Sequence, residues 1–321
     1  MRFRALLVLT LVATLLWAAG AAAASGPPLA LIAEPPAGNA PFLALISGAR
    51  HSIELTMYEL YDAQVERALA AAAHRGVEVR VLLNGGYYQE REDQNSAAYA
   101  YLHGHGVQVR YTPTYFALTH QKTLTVDGRE SAIMTLNFDG EYSSTRDFAV
   151  VDRQAADVHA ILATFNADWS RRRLDPSAGS GDLVWSPGAE SAVIGLIDSA
   201  RRSIALEDEE LDYQPATDAL CAAARRHVKV EIVMSYASEW RDAFARLRSC
   251  GARLRLYHGQ RYYIHAKILL VDGRRALVSS QNLSTTSLEY NRELGIELSS
   301  PAIVAALTRD FAADYAGGSA G

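Results

Sequence analysis

The sequence predicts an α/β protein made of two homologous repeats, each a mixed β-sheet flanked by helices, packed as a pseudo-twofold pair. One observation behind this is internal repetition. Ser52-Ile53 and Leu55 recur as Ser203-Ile204 and Leu206, Glu59-Leu60 as Glu210-Leu211, Leu69 as Leu220, and Val77-Glu78-Val79 as Val228-Lys229-Val230, all at an offset of 151. The offset then falls to 145, where Gly106 matches Gly251, His120 matches His265 and Asn137 matches Asn282. Near the ends it is 146, with Phe165 and Trp169 matching Phe311 and Tyr315. A register held across such different residue types marks duplication of a whole structural unit. It shifts where the first copy carries six more residues between Asn84 and Ala97. The second observation is that strand-type and helix-type periodicity alternate within each copy, the pattern of a layered α/β sheet.

Each copy reads as β-α-β-α-β, then a strand pair, one more strand and a closing helix. In the second copy Ser203–Leu206 is a short strand, Ala216–His227 has helical composition and Val228–Met234 alternates as a strand. Glu239–Cys250 is amphipathic with Gly251 as its stop, and Arg253–Tyr257 alternates again. His265–Val271 runs into Asp272-Gly273, a favoured hairpin turn, and Ala276–Ser280 returns. Leu294–Leu298 is the last strand and Pro301–Tyr315 the closing helix, with proline in its first turn. Hairpins following crossovers make the sheet mixed. The Gly/Ser/Pro-rich stretch after Arg171-Arg172-Arg173 reads as the join, so residues 25–173 form the first repeat, 174–187 a linker and 188–321 the second repeat.

Residues 1–24 read as an address. Arg2 and Arg4 precede an apolar run from Ala5 to Ala18, Ala22-Ala23-Ala24 offers an A-x-A exit, and Pro27-Pro28 follows. This is the layout of a secretory signal peptide cleaved near Ala24, which places the mature chain in a secreted or periplasmic setting. An uncleaved anchor is the other reading. Loss of Arg2 and Arg4 takes the net charge from −5 to −7. In an oxidising compartment Cys221 and Cys250 can join or remain separate buried thiols, since spacing alone does not set their separation. Two cysteines exclude a disulfide framework and a four-thiolate zinc site, and the acidic balance excludes a generically basic nucleic-acid binder.

The chemistry lies in a duplicated motif. His120, Lys122 and Asp127 stand in HQKTLTVDG; His265, Lys267 and Asp272 stand in HAKILLVDG. Residues i and i+2 of a strand share a face about 6.6 Å apart, so an imidazole and an ammonium project together. Thr135 and Asn137 follow in the first copy, Ser280 and Asn282 in the second, each a hydroxyl and an amide able to donate to an oxyanion. Next come Arg146-Asp147 and Arg292-Glu293, whose acids can hold a histidine's second ring nitrogen. Each residue alone has a bland explanation, Asp127 and Asp272 as turn formers above all. Recurrence of His, Lys, Asp, hydroxyl and Asn at one offset argues for two half-sites facing each other across a pseudo-twofold axis. Two imidazoles, two ammoniums and neutral donors suit a phosphodiester, one histidine attacking phosphorus and the other protonating the departing oxygen. No metal-ligand motif is present.

With His-x-Lys-x4-Asp twice and Ser/Thr-x-Asn after each, the chain resembles the phospholipase D superfamily over nearly all its length. The tail from Ser280 through Asn282, Ser284, Ser287 and Asn291 to Glu293 is especially similar. The resemblance implies a phosphohistidine intermediate resolved by water or an alcohol, with no metal cofactor. It implies His120 as nucleophile and His265 as general acid/base, each in a motif completed by Lys122 and Asp127 or Lys267 and Asp272. It also implies phosphate binding by Lys122, Lys267, Asn137 and Asn282, assisted by Thr135 and Ser280, with Asp147 and Glu293 orienting the histidines. The first copy departs from the pattern at Thr135, in place of serine, and at Asp147, in place of glutamate.

Three functions fit: an exported phospholipase D acting on glycerophospholipids with transient membrane contact, an exported metal-independent nuclease, or a binding module without turnover. The negative mature charge favours lipid, because nucleic-acid affinity leans on basic phosphate contacts. So does the acidic run Glu207-Asp208-Glu209-Glu210 with Asp212, which can repel polyanions or receive a cationic headgroup and otherwise reads as a solvated loop. Tyr87, Tyr88, Tyr111, Tyr115, Phe116, Tyr257, Tyr262 and Tyr263 can grip acyl chains or stack on bases, about half of them being ordinary packing.

Overall fold

In the computed structural model, residues 27–85, 95–176, 181–259 and 263–320 are described; the leader, Tyr87, Tyr88 and Tyr262 lie outside them. The first repeat runs β1 (Leu29–Glu34), α1 (Ala40–Gly48), β2 (Ser52–Met57), α2 (Ala63–His74), β3 (Glu78–Leu83), α3 (Ser96–Gly104), β4 (Gln108–Tyr111), β5 (Thr123–Val126), β6 (Glu130–Met134), β7 (Thr145–Asp152) and α4 (Ala155–Trp169). The second runs β8 (Leu183–Ser186), α5 (Glu190–Ser199), β9 (Ser203–Glu207), α6 (Gln214–Arg225), β10 (Lys229–Ser235), α7 (Arg241–Ser249), β11 (Arg253–Tyr257), β12 (Tyr263–Ile264), β13 (Ile268–Val271), β14 (Arg275–Ser279), α8 (Thr285–Glu289), β15 (Glu293–Leu298), α9 (Pro301–Gly317) and β16 (Ser319–Ala320).

The strands form two sheets, ordered β1-β7-β6-β5-β2-β3-β4 and β16-β11-β10-β9-β13-β14-β15-β8. Strands joined through helices, β2-β3-β4 and β9-β10-β11, pair in parallel. Those joined by turns pair antiparallel, as do β1 with β7 and β8 with β15, so both sheets are mixed as expected. The β1-α1 and β8-α5 units precede the point where the sequence pattern starts each copy. Their pairing partners are β7 and β15, more than a hundred residues away, so local periodicity carries no trace of them. Strand β8 also lies inside the stretch read as linker.

Both faces of each sheet are buried. Along β7, Ala149 and Val151 pack into the first repeat's own core with Phe42, Leu55 and Leu124, while Phe148 and Val150 turn the other way. That second face meets Ile268, Leu270, Val278 and Ile296 of the other repeat in one shared cluster. Period-two alternation thus feeds two cores at once, which is why these strands read as unbroken apolar runs.

The cysteines are joined. Cys221 on α6 and Cys250 at the C-terminus of α7 form a disulfide with Cα atoms 5.4 Å apart, settling the question that spacing left open. The acidic run is only partly solvated: Asp212 is exposed and Glu209 and Glu210 are half-buried. Glu207 is fully buried, and Asp208 accepts the backbone N–H groups of Glu209, Glu210 and Leu283.

Candidate active site

The His-x-Lys segments were expected as the starts of β5 and β13. Instead each strand begins after its lysine, at Thr123 and Ile268. The preceding backbone pairs with the opposite repeat: Ala117 N–H donates to Tyr290 O, Arg292 N–H to Leu118 O, and His120 and Gln121 N–H to Arg292 O. In mirror fashion Tyr263 N–H donates to Ser144 O and His265 N–H to Arg146 O. Each histidine is therefore registered against the acid-bearing strand of the other copy.

That register crosses the side chains as well. His120 Nδ1 lies 2.9 Å from Glu293 Oε2, and His265 Nδ1 lies 2.8 Å from Asp147 Oδ1. The shorter Asp147 reaches its histidine as well as Glu293 does. The neighbouring arginines exchange partners in the same way. Arg146 Nε is 2.7 Å from Asp314 Oδ2, and Arg292 Nε is 2.9 Å from Asp168 Oδ2, each pair closed by a second bond. Arg292 also lies over the Phe116 ring, 4.3 Å from its centroid.

Both lysines are buried and fold back onto their own motif. Lys122 Nζ donates to His120 O at 2.8 Å and sits 5.0 Å from the Tyr58 ring centroid. Lys267 Nζ donates to His265 O and, at 2.8 Å, to Glu209 Oε2. Their electrostatics diverge. Burial and the charge of Lys267 push Lys122 down to about 7, whereas burial of Lys267 is outweighed by Glu209 and Asp147, which raise it. Burial, with Lys122 beside it, lowers His120 against the pull of Glu293. Glu293 and Asp147 oppose their own burial through the adjacent histidines and stay below the usual carboxylate range.

The remaining candidates divide. Asn137 and Asn282 are buried on the loops beside the histidines, Asn137 Nδ2 donating to Glu59 Oε2 and Asn282 N–H to Ser287 Oγ. Thr135 and Ser280, expected to assist with phosphate, lie behind the acids instead. Thr135 Oγ1 donates to Asp147 Oδ1 and accepts Phe148 N–H, while Ser280 Oγ accepts Leu294 N–H and its carbonyl accepts from His120 Nδ1. Fully buried and already committed, these hydroxyls orient the orienting groups. Ser287 Oγ and Asn291 Nδ2 do the same for Glu293 Oε1.

Asp127 and Asp272, expected among the catalytic groups, do not join them. They sit at the far ends of β5 and β13 with φ of 53° and 55°, in turns followed by positive-φ glycines. Asp127 accepts the N–H groups of Arg50, His51 and Ser52, and Asp272 those of Arg201, Arg202 and Ser203. These bonds outweigh desolvation and lower both carboxyls. Each aspartate ties its hairpin to the start of the neighbouring strand. Asp127→Ala is expected to cost about 1–3 kcal/mol of unfolding free energy, with kcat changed by less than about fivefold. Denaturant melts alongside turnover measurements check this.

The expected aromatic lining is divided too. Tyr257 is buried with its hydroxyl on Asp314 O, Tyr111 stacks on Tyr99, and Tyr115 donates to Arg172 O. Tyr263 alone of these reaches the site, through Glu209. Sequence reasoning passed over Asp168 and Asp314, although they recur at the same offset of 146 as the arginines they hold. Tyr58 and Glu209 also occupy equivalent positions, but their different chemistry hides them from a search for repetition. Among the described residues, no three His, Cys, Asp or Glu side chains gather as a metal would need.

Fold and site together define the phospholipase D superfamily, whose enzymes act on phosphodiester bonds. Within it the chain belongs to the family described as cardiolipin synthase, PLD-like domain, whose model matches residues 42–169 and 193–315. Among curated relatives it is 25% identical to a cardiolipin synthase of Geobacillus kaustophilus over 85% of this chain, and spans 63% of that relative's length. It is 26% identical to cardiolipin synthase B of Escherichia coli over 73% of this chain and 66% of the relative. The fold matches phosphatidylserine synthase of Haemophilus influenzae with a TM-score of 0.66 at 12% identity, over 89% of this chain and 86% of the other. It also matches polyphosphate kinase of Porphyromonas gingivalis with a TM-score of 0.70 at 16% identity, over 89% of this chain and 50% of that one.

Proposed function

We propose that the protein is an exported, metal-independent phosphodiesterase that cleaves glycerophospholipids, by hydrolysis or transfer to an alcohol, through a phosphohistidine at His120. The observation that carries this is the state of His120. Its Nδ1–H is committed to Glu293 and its imidazole is kept neutral by burial and Lys122, so the Nε2 lone pair is available for phosphorus. His265, fixed by Asp147, gives a proton to the departing alcohol and takes one back from the incoming water or alcohol. Lys122 and Lys267 neutralise the equatorial oxygens, and the amides of Asn137 and Asn282 donate to them. Lipid as substrate is supported by the relatives named as cardiolipin synthases and by the acidic charge of the chain. Export is supported by the leader pattern and by the Cys221–Cys250 disulfide, which suits an oxidising compartment.

Parallel assays of phosphatidylglycerol and phosphatidylcholine vesicles, single-stranded DNA and duplex DNA at two salt concentrations test the reading. Lipid turnover without DNA cleavage is expected; DNA cleavage without lipid turnover overturns it in favour of a nuclease. A pH dependence follows from Lys122. It carries charge below about 7 and loses it above, so phosphate binding weakens as pH rises. KM for the diester is expected to climb across that range, and a KM flat from about pH 5.5 to 9 contradicts the role of Lys122.

A further inference from the structure

We propose that Glu209 is a positioning residue that fixes the His265 ring and Lys267 for proton delivery to the leaving group, so that one substitution between the repeats divides the work of the two histidines. This rests on the phosphohistidine reading above and deepens it. Histidine, lysine, asparagine, hydroxyl, orienting acid and arginine are all duplicated around the site. At the offset of 151, however, Tyr58 of the first repeat answers to Glu209 of the second.

The two residues meet their histidines in opposite ways. The Tyr58 ring stands edge-on to the His120 ring, centroids 4.6 Å apart, and walls it with aromatic carbon. Glu209 Oε2 lies 3.5 Å from His265 Nε2 and 2.8 Å from Lys267 Nζ, and its Oε1 accepts from the Tyr263 hydroxyl at 3.1 Å. Lysine and tyrosine thus hold the carboxylate on two sides, aimed at the ring nitrogen that Asp147 leaves free. His265 thus has Asp147 bonded at Nδ1 and Glu209 within ion-pair distance of Nε2.

Around His265 stand Asp147 on β7, Glu209 beyond β9, Asp139 on the loop after β6 and Lys267 of its own segment. His120 is faced by Glu293, Lys122, Lys267 and the charge of Glu209. Lys267 and His265 outweigh burial and hold Glu209 ionised. His120, walled by Tyr58, is thus the nucleophile, and His265, held between Asp147 and Glu209, the acid. In the first step a bond forms from His120 Nε2 to phosphorus, the bond from phosphorus to the leaving oxygen breaks, and the Nε2 proton of His265 moves to that oxygen. In the second, water or an alcohol passes its proton to His265 as its oxygen displaces His120 from phosphorus.

The test compares two diesters on the processed full-length protein: phosphatidylglycerol, whose alkoxide leaving group needs a proton, and bis(p-nitrophenyl) phosphate, whose phenolate does not. Glu209→Gln is expected to lower kcat about 100-fold on the lipid and less than about fivefold on the aryl ester. An equal loss on both esters, in a variant whose thermal midpoint matches wild type, overturns the role of Glu209 while leaving the phosphodiesterase reading intact. Turnover of neither ester by the wild type overturns both.

Discussion

His120→Ala is expected to lower kcat by about 10⁴-fold or more on any diester, including the activated aryl ester, because it removes the atom that bonds to phosphorus. His265→Ala is expected to act differently. It removes the acid for the first step and the base for the second, so with an aryl leaving group the first step proceeds and the second stalls. A phosphorylated protein should then accumulate, detectable as an acid-labile mass increment on the peptide carrying His120. The same increment in the His120 variant, or full turnover in either one, contradicts the division of roles. Neither change should unfold the protein, since the carboxylates that the histidines meet, Asp147 and Glu293, are also held by other donors.

The second large effect is on stability. Arg292→Ala leaves Asp168 as a buried carboxylate without its guanidinium, and removes the cation resting on Phe116. Breaking one partner of a buried pair typically costs about 3–5 kcal/mol, far more than an exposed bridge contributes. Urea denaturation should show a loss of this size, with kcat falling too, because the Arg292 carbonyl receives the His120 and Gln121 N–H groups and the next residue is Glu293. Arg292→Lys restores charge but not the two-point contact, and should recover only part of the stability. A loss below about 1 kcal/mol would mean that the reciprocal Arg–Asp pairs do not hold the repeats together.

Much of the fold was legible because duplication supplies two readings of one pattern. The second-repeat helices and strands that the pattern delimits, from β9 on, fall within a few residues of their expected limits, and the hairpin turns lie at Asp127-Gly128 and Asp272-Gly273 as the dipeptides required. The histidines, lysines and asparagines were found by repetition alone. What repetition could not assign is direction. Asp127 and Asp272 recur as faithfully as the histidines, yet they serve the backbone at the other end of the hairpin, because a motif records spacing along a chain and not which end of a strand faces the site. Thr135 and Ser280 share a pattern with the asparagines but aim at the acids behind them.

The sequence by itself determined the repeated unit, the family and the chemical inventory of the site, since each is written in residue type and interval. Only the tertiary structure decided which acid serves which histidine, that Cys221 and Cys250 meet, and that Glu209 reaches His265 and Lys267. The reason is that the site is assembled across the interface between repeats. Its histidine–acid contacts join residues more than a hundred positions apart, and they arise when two apolar sheet faces close on each other and carry the polar edges of each repeat into the reach of its twin.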